Sequence, residues 1–115
     1  DFSFGRKLTE EEKKKIEDLV NQKIKADLSV RHQEMSRIEA EKLGAEMEFG
    51  QKYGDQVSVY FIGETGYIFS AEFCGGPHVE HTGELGPAVA GQGPFKIIKE
   101  EAVAQGIRRI KATLG

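Results

Sequence analysis

All three prolines of this chain, Pro77, Pro87 and Pro94, crowd into one stretch together with Gly75, Gly76, Gly83, Gly86, Gly91 and Gly93. Proline has no amide donor for a helix or sheet interior, and glycine loses the most backbone entropy on ordering. Regular structure is therefore expected before Gly75 and after Pro94, with loop between them.

Before that stretch the signals begin with a helix. Thr9 and Glu12 have capping-box spacing, with Leu8 just ahead of the cap. Ile16, Leu19, Val20, Ile24 and Leu28 then recur at helical spacing, while Lys13, Lys14, Glu17, Asp18 and Lys25 fall on the other face. An amphipathic helix is predicted over residues 10–27, and its mixed charges read as a solvated surface. A short strand follows over 29–33. Ser36 with Glu39 repeats the capping spacing, and Gly44 ends a short helix over 37–43. Met47, Phe49 and Tyr53 are expected to pack beneath the next loop.

Val57, Val59 and Phe61 alternate with Ser58, Tyr60 and Ile62, the pattern of a strand with one apolar face. Gly63-Glu64-Thr65-Gly66 reads as a hairpin turn, and residues 67–73 return as its second strand. Two closing strands are expected over 95–99 and 107–112, with a turn or single helical turn over 100–105. Phe2, Phe4, Phe69 and Phe73 are assigned to the core. The class is α+β: N-terminal amphipathic helices packed on a mostly antiparallel sheet.

At 115 residues the chain has room for one modest core, and no linker or repeat divides it, so residues 1–115 read as a single unit. With 38% hydrophobic and 30% charged residues it has a globular rather than a disordered composition. No apolar run is long enough to span a bilayer, so no membrane partner is expected. Cys74 has no second cysteine to pair with, which excludes a disulfide scaffold and suits a reducing, cytoplasmic setting. The first residues show no signal peptide and no initiator methionine, so the chain reads as a piece of a longer one. A net charge of −3 argues against non-specific nucleic-acid binding, DNA included; contact with RNA would need a local patch.

The strongest chemical signal is Cys74-Gly75-Gly76-Pro77-His78. Thiolate sulfur and imidazole nitrogen are the ligands zinc favours, and the glycines let the backbone turn tightly around an ion. Spacing alone is weak warrant, since many buried cysteines and isolated histidines bind nothing. His81 is a conceivable third ligand but reads better as an exposed loop residue, and His32 has no partner at ligand spacing. A closed site would have to draw on a carboxylate such as Glu72 or Glu80. The chain therefore binds no metal, or shares one with ligands from elsewhere. A Cys74–His78 nucleophilic pair lacks any marked orienting acid. The glycine-rich stretch matches neither a P-loop nor a dinucleotide fingerprint. Arg108, Arg109 and Lys111, with Lys96 and Lys99, make a basic edge. Adjacent strand residues point to opposite faces, so solvated charges are the simpler reading and RNA contact through Arg108 or Arg109 the weaker one.

Several separate runs, in order along nearly the whole chain, resemble the editing domain of alanyl-tRNA synthetases. They are Asp1-Phe2-Ser3, the helix from Thr9, Met35-Ser36, and Phe49-Gly50-Gln51-Lys52-Tyr53-Gly54-Asp55. Beyond these come Ser70-Ala71-Glu72-Phe73-Cys74-Gly75-Gly76-Pro77-His78-Val79, Thr82-Gly83-Glu84-Leu85-Gly86, Phe95-Lys96-Ile97-Ile98-Lys99-Glu100-Glu101 and Gly106-Ile107-Arg108-Arg109-Ile110-Lys111-Ala112.

The resemblance implies an editing module that hydrolyses tRNA(Ala) mischarged with serine or glycine. It also implies a zinc ion held by an upstream His-x3-His pair and by Cys74 and His78. Only His32 precedes Cys74 here, so the chain would supply half of that site and would not catalyse alone. The expected partners are the tRNA(Ala) acceptor end and the rest of a synthetase chain, whose ATP and magnesium chemistry lies elsewhere. Three features depart from the family. Pro77 stands where threonine is usual, which puts serine selectivity in doubt, and residues 87–93 form an insertion. The Glu64–Ile68 hairpin also runs longer than usual. A free-standing editing hydrolase and a non-catalytic RNA- or protein-binding module on the same fold remain alternative expectations.

Overall fold

The structure, a computed structural model, describes residues 1–47, 53–64, 67–87 and 89–115. Its elements run β1 (Phe2–Ser3), α1 (Glu10–Lys25), β2 (Val30–Ser36), α2 (Arg37–Lys42), β3 (Gln56–Glu64), β4 (Tyr67–Phe73), a single 3-10 turn (Thr82–Leu85), β5 (Phe95–Ala104) and β6 (Ile107–Leu114). The fold is α+β. The one sheet expected from the sequence is, among the described residues, two three-stranded sheets, ordered β1-β6-β5 and β2-β3-β4, with every strand pair antiparallel. They belong to two compact units, Asp1–Ala26 with Gly83–Gly115, and Asp27–Thr82. No linker in the sequence marks that division.

In the first unit, α1 opens as its capping box dictates. Thr9 Oγ1 accepts the Glu12 N–H at 3.1 Å, and Glu12 Oε1 accepts the Thr9 N–H at 2.9 Å. Arg6 closes a two-pronged ion pair on the same carboxylate, at 2.6 and 3.0 Å. Ile24 is buried, whereas Leu19, expected on the apolar face, is 45% exposed. Glu17, expected on the solvated face, accepts the Ile97 N–H at 2.7 Å, and Asn21 exchanges two bonds with the Phe95 backbone. These side chains satisfy amides on the free edge of β5, which would otherwise remain open to stray pairing. Strands β5 and β6 run longer than expected: the segment 100–105 holds no helical turn, β5 continues to Ala104, and Gly106 turns the chain at φ 72°.

In the second unit, Met35, Ala40, Val57, Val59 and Phe73 form the core, with Ala45, Tyr53, Phe61 and Ala71 packed against it. Strand β2 runs to Ser36, three residues past its expected end, and Ser36 then caps α2 by accepting the Glu39 N–H at 3.2 Å. Gly44 ends that helix at φ 76°. Tyr53 meets Phe73 edge-on with ring centroids 4.9 Å apart, as a packed aromatic should. Met47 is half exposed and so is not packed there, and Phe49 lies outside the described residues. Phe69 is 39% exposed rather than core. Of the hairpin turn, Thr65 and Gly66 are likewise outside the described residues, as is Ala88 in the 87–93 segment.

Candidate metal centre

Strand alternation decides which side chains share a face of the second unit's sheet. Val57, Val59, Ala71, Phe73 and Met35 turn to the core. The intervening residues therefore lie together on the other face. Tyr60 pairs with His32 on β2 and with Glu72 on β4, so His32, Tyr60 and Glu72 form one row across three strands. Cys74 continues the Ser70, Glu72 parity just past the end of β4, and its N–H bonds the Ser58 carbonyl at 3.1 Å.

The loop after Cys74 has a fixed destination. Val30 N–H bonds the Glu80 carbonyl at 2.9 Å, Thr82 N–H bonds the Leu28 carbonyl at 2.9 Å, and the buried Thr82 hydroxyl accepts the Leu28 N–H at 2.7 Å. The chain thus leaves the β4 side of the sheet and returns beside the start of β2. Central β3 lies between, and His78, midway along the loop, stacks on Tyr60 with centroids 3.8 Å apart and planes 19° from parallel. His32 also meets the Tyr60 ring, at 4.9 Å and 32°. An aromatic contact of this kind contributes about 1 kcal/mol.

At the sulfur, the Gly76 N–H donates to Cys74 Sγ at 3.4 Å, and Cys74 is partly buried. Glu72, a conceivable carboxylate donor, accepts the Ser70 hydroxyl. His81 faces Asp27 at 4.0 Å on an exposed surface. Among the described residues no three His, Cys, Asp or Glu side chains gather as a metal cluster. Sulfur and nitrogen donors on one constrained loop fit zinc, but two donors fill half of a tetrahedral shell.

The structure gives the basic edge ion-pair partners. Arg108 pairs with Glu100, whose side chain is fully covered, and Arg109 grips Asp1 at 2.8 and 3.1 Å. Lys99 and Lys111 both face Glu101, at 3.0 and 3.7 Å. Bonding to Arg108 holds the Glu100 carboxyl below its ordinary range, and bonding to Lys99 does the same for Glu101. None of these four cations stands without an acid. The site residue that the sequence does not single out is Tyr60. Its signal was there: an aromatic on the strand positions opposite the Val57, Val59 and Phe61 face.

Two comparisons bear on these features. Residues 57–111, from the core of β3 through most of β6, match the family described as Threonyl and Alanyl tRNA synthetase second additional domain. The chain is also 51% identical over 114 residues to an alanine–tRNA ligase of Treponema denticola, and 50% identical over 114 residues to one of Borreliella afzelii. With an alanine–tRNA ligase of Fusobacterium nucleatum it shares 45% over 115 residues. These alignments take in 99%, 99% and 100% of the chain, and it spans only 17%, 17% and 12% of those relatives. Residues 57–111, with the Cys74–His78 loop among them, are thus similar to the second additional domain of threonyl and alanyl tRNA synthetases. Along nearly its whole length the chain is similar to a segment of alanine–tRNA ligases.

Proposed function

We propose that this chain is an editing module of an alanine–tRNA ligase, which hydrolyses tRNA(Ala) carrying serine or glycine. The observation that carries the reading is the loop that brings Cys74 and His78 to one open sheet face, in a segment about half identical to alanine–tRNA ligases. Cys74 and His78 hold half of a zinc shell, and an upstream His-x3-His pair outside the chain completes it. Zinc bound there supplies Lewis acidity toward the aminoacyl ester or its attacking water.

The chain's own residues build the surroundings. The Gly76 amide donates to Cys74 Sγ, Tyr60 backs His78, and Ser70 and Glu72 make the adjoining surface polar. A polar surface suits a second sieve that accepts serine for its hydroxyl. Pro77 contributes neither hydroxyl nor amide, so selectivity falls to its neighbours. The partners are the acceptor end of tRNA(Ala) and the remaining synthetase chain, in a reducing cytoplasm that keeps Cys74 a thiol. ATP and magnesium serve aminoacylation elsewhere in the ligase. Because Arg108 and Arg109 are already paired, RNA attraction at that edge is weak.

The test is deacylation of serine-charged tRNA(Ala) by the chain alone, by the chain joined to a segment bearing the His-x3-His pair, and by the joined form with Cys74→Ala. The joined protein should hydrolyse the ester. The chain alone should stay near background, and Cys74→Ala should lose more than the ~100-fold that outer-shell changes cost. Vigorous hydrolysis by the chain alone would refute the shared site.

A further inference from the structure

We propose that Tyr60 is a positioning residue for His78: its ring fixes the plane of the imidazole, and with it the directions in which the imidazole can bind a cation. This rests on the reading of His78 as a metal ligand. The lone pair of an imidazole nitrogen lies in the ring plane, so a ligand histidine is useful only when that plane is set. In known sites the plane is usually set by a hydrogen bond to the second ring nitrogen. His78 is set instead by a face, stacked at 3.8 Å and 19° on Tyr60.

The sheet makes Tyr60 a firm backstop. It lies on the central strand, flanked by His32 and Glu72 as direct cross-strand neighbours. His32 meets its ring at 4.9 Å and limits its swing. The core residues Val57 and Val59 hold the same strand from the other side, being 7% and 0% exposed. The loop ends at Glu80 and Thr82 are tied to the start of β2, so His78 has little slack to leave the ring. Stacking needs the aromatic face and not the phenol hydroxyl, which separates two substitutions: Tyr60→Phe keeps the face, and Tyr60→Leu keeps apolar volume without it.

Two readouts test the proposal. The first is the chemical shift of the His78 ring protons by NMR in the wild-type chain, Tyr60→Phe and Tyr60→Leu. The second is zinc affinity of the full-length protein by chelator competition, with its melting temperature. His78 ring protons should be displaced upfield in the wild type and in Tyr60→Phe, and return to the free-histidine position in Tyr60→Leu. Zinc affinity should hold in Tyr60→Phe and fall about tenfold in Tyr60→Leu at a similar melting temperature. Undisplaced His78 protons in the wild type would overturn the proposal, as would Tyr60→Leu binding zinc as tightly as the wild type. A wild-type protein with displaced ring protons but no zinc uptake would overturn the metal reading and leave the stacked placement standing.

Discussion

Gly63 sits at φ 141° beside a bulge in β3, and an added Cβ there would lie 2.3 Å from the Tyr67 carbonyl oxygen and 2.9 Å from Ile68 Cα. Both obstacles are backbone, so neither can rotate away. Gly63→Ala should destabilise the chain by about 2 kcal/mol in urea unfolding. Gly75→Ala, whose Cβ meets nothing within 4 Å, should cost much less. Glu12 makes a prediction about pH. Its bonds to the Arg6 guanidinium, and then to the Thr9 amide, lower its pKa from 4.5 to about 2. A depressed folded-state pKa stabilises the fold above the unfolded value and loses that contribution as pH falls through the folded one. Melting temperature should therefore drop between about pH 4.5 and 2. The drop should be smaller in Glu12→Gln, and modest throughout because the pair is exposed to solvent. Residues whose chemistry is local were legible in the sequence. Thr9 and Glu12 announced their cap, and Ser36 announced the start of α2. Strand alternation put Tyr60 on the face opposite the core, but its stacking on His78 depends on a loop crossing that no local pattern encodes.

At the scale of elements, Arg108 and Arg109 show what alternation can and cannot reveal. Their opposite facing followed from strand geometry. Their partners did not: Arg108 turns to the covered Glu100 on β5, and Arg109 to Asp1 at the chain's first residue. Removing the counter-ion of a covered carboxylate is costly, whereas an exposed pair contributes little. Arg108→Met should lower the melting temperature by about 5 °C or more, and Arg109→Met should barely change it. If instead Arg109→Met alone weakened tRNA binding strongly, the basic edge would have a role that its ion pairs do not suggest. Helix α1 was visible from its period, and Ile16, Val20 and Ile24 are partly or fully covered as that period implies, but the part played by Glu17 was not visible. Glu17 looks like a surface charge in the sequence, and only the open edge of β5 gives its carboxylate a backbone amide to accept. The extra length of β5 and β6 was hidden for a related reason: Glu100 and Glu101 look like turn residues until their cross-strand partners, Ile110 and Arg109, are known.

For the whole molecule, pattern gave the class of fold but not its division into two units, since the chain passes between them at Ala26 and at Thr82 without any linker composition. Each sheet needs partners far apart in sequence, and such pairing is set by the packed core rather than by a local signal. The central claim concerns something larger than the chain itself: Cys74 and His78 are half of a zinc shell whose other half is a histidine pair in the parent ligase. X-ray absorption at the zinc edge of the full-length protein reads that shell directly, because sulfur and nitrogen scatter at different distances, about 2.3 and 2.0 Å. The account predicts one sulfur and three nitrogens in the wild type, with the sulfur lost in Cys74→Ala. A zinc shell without sulfur in the wild type, or no bound zinc at all, would contradict it.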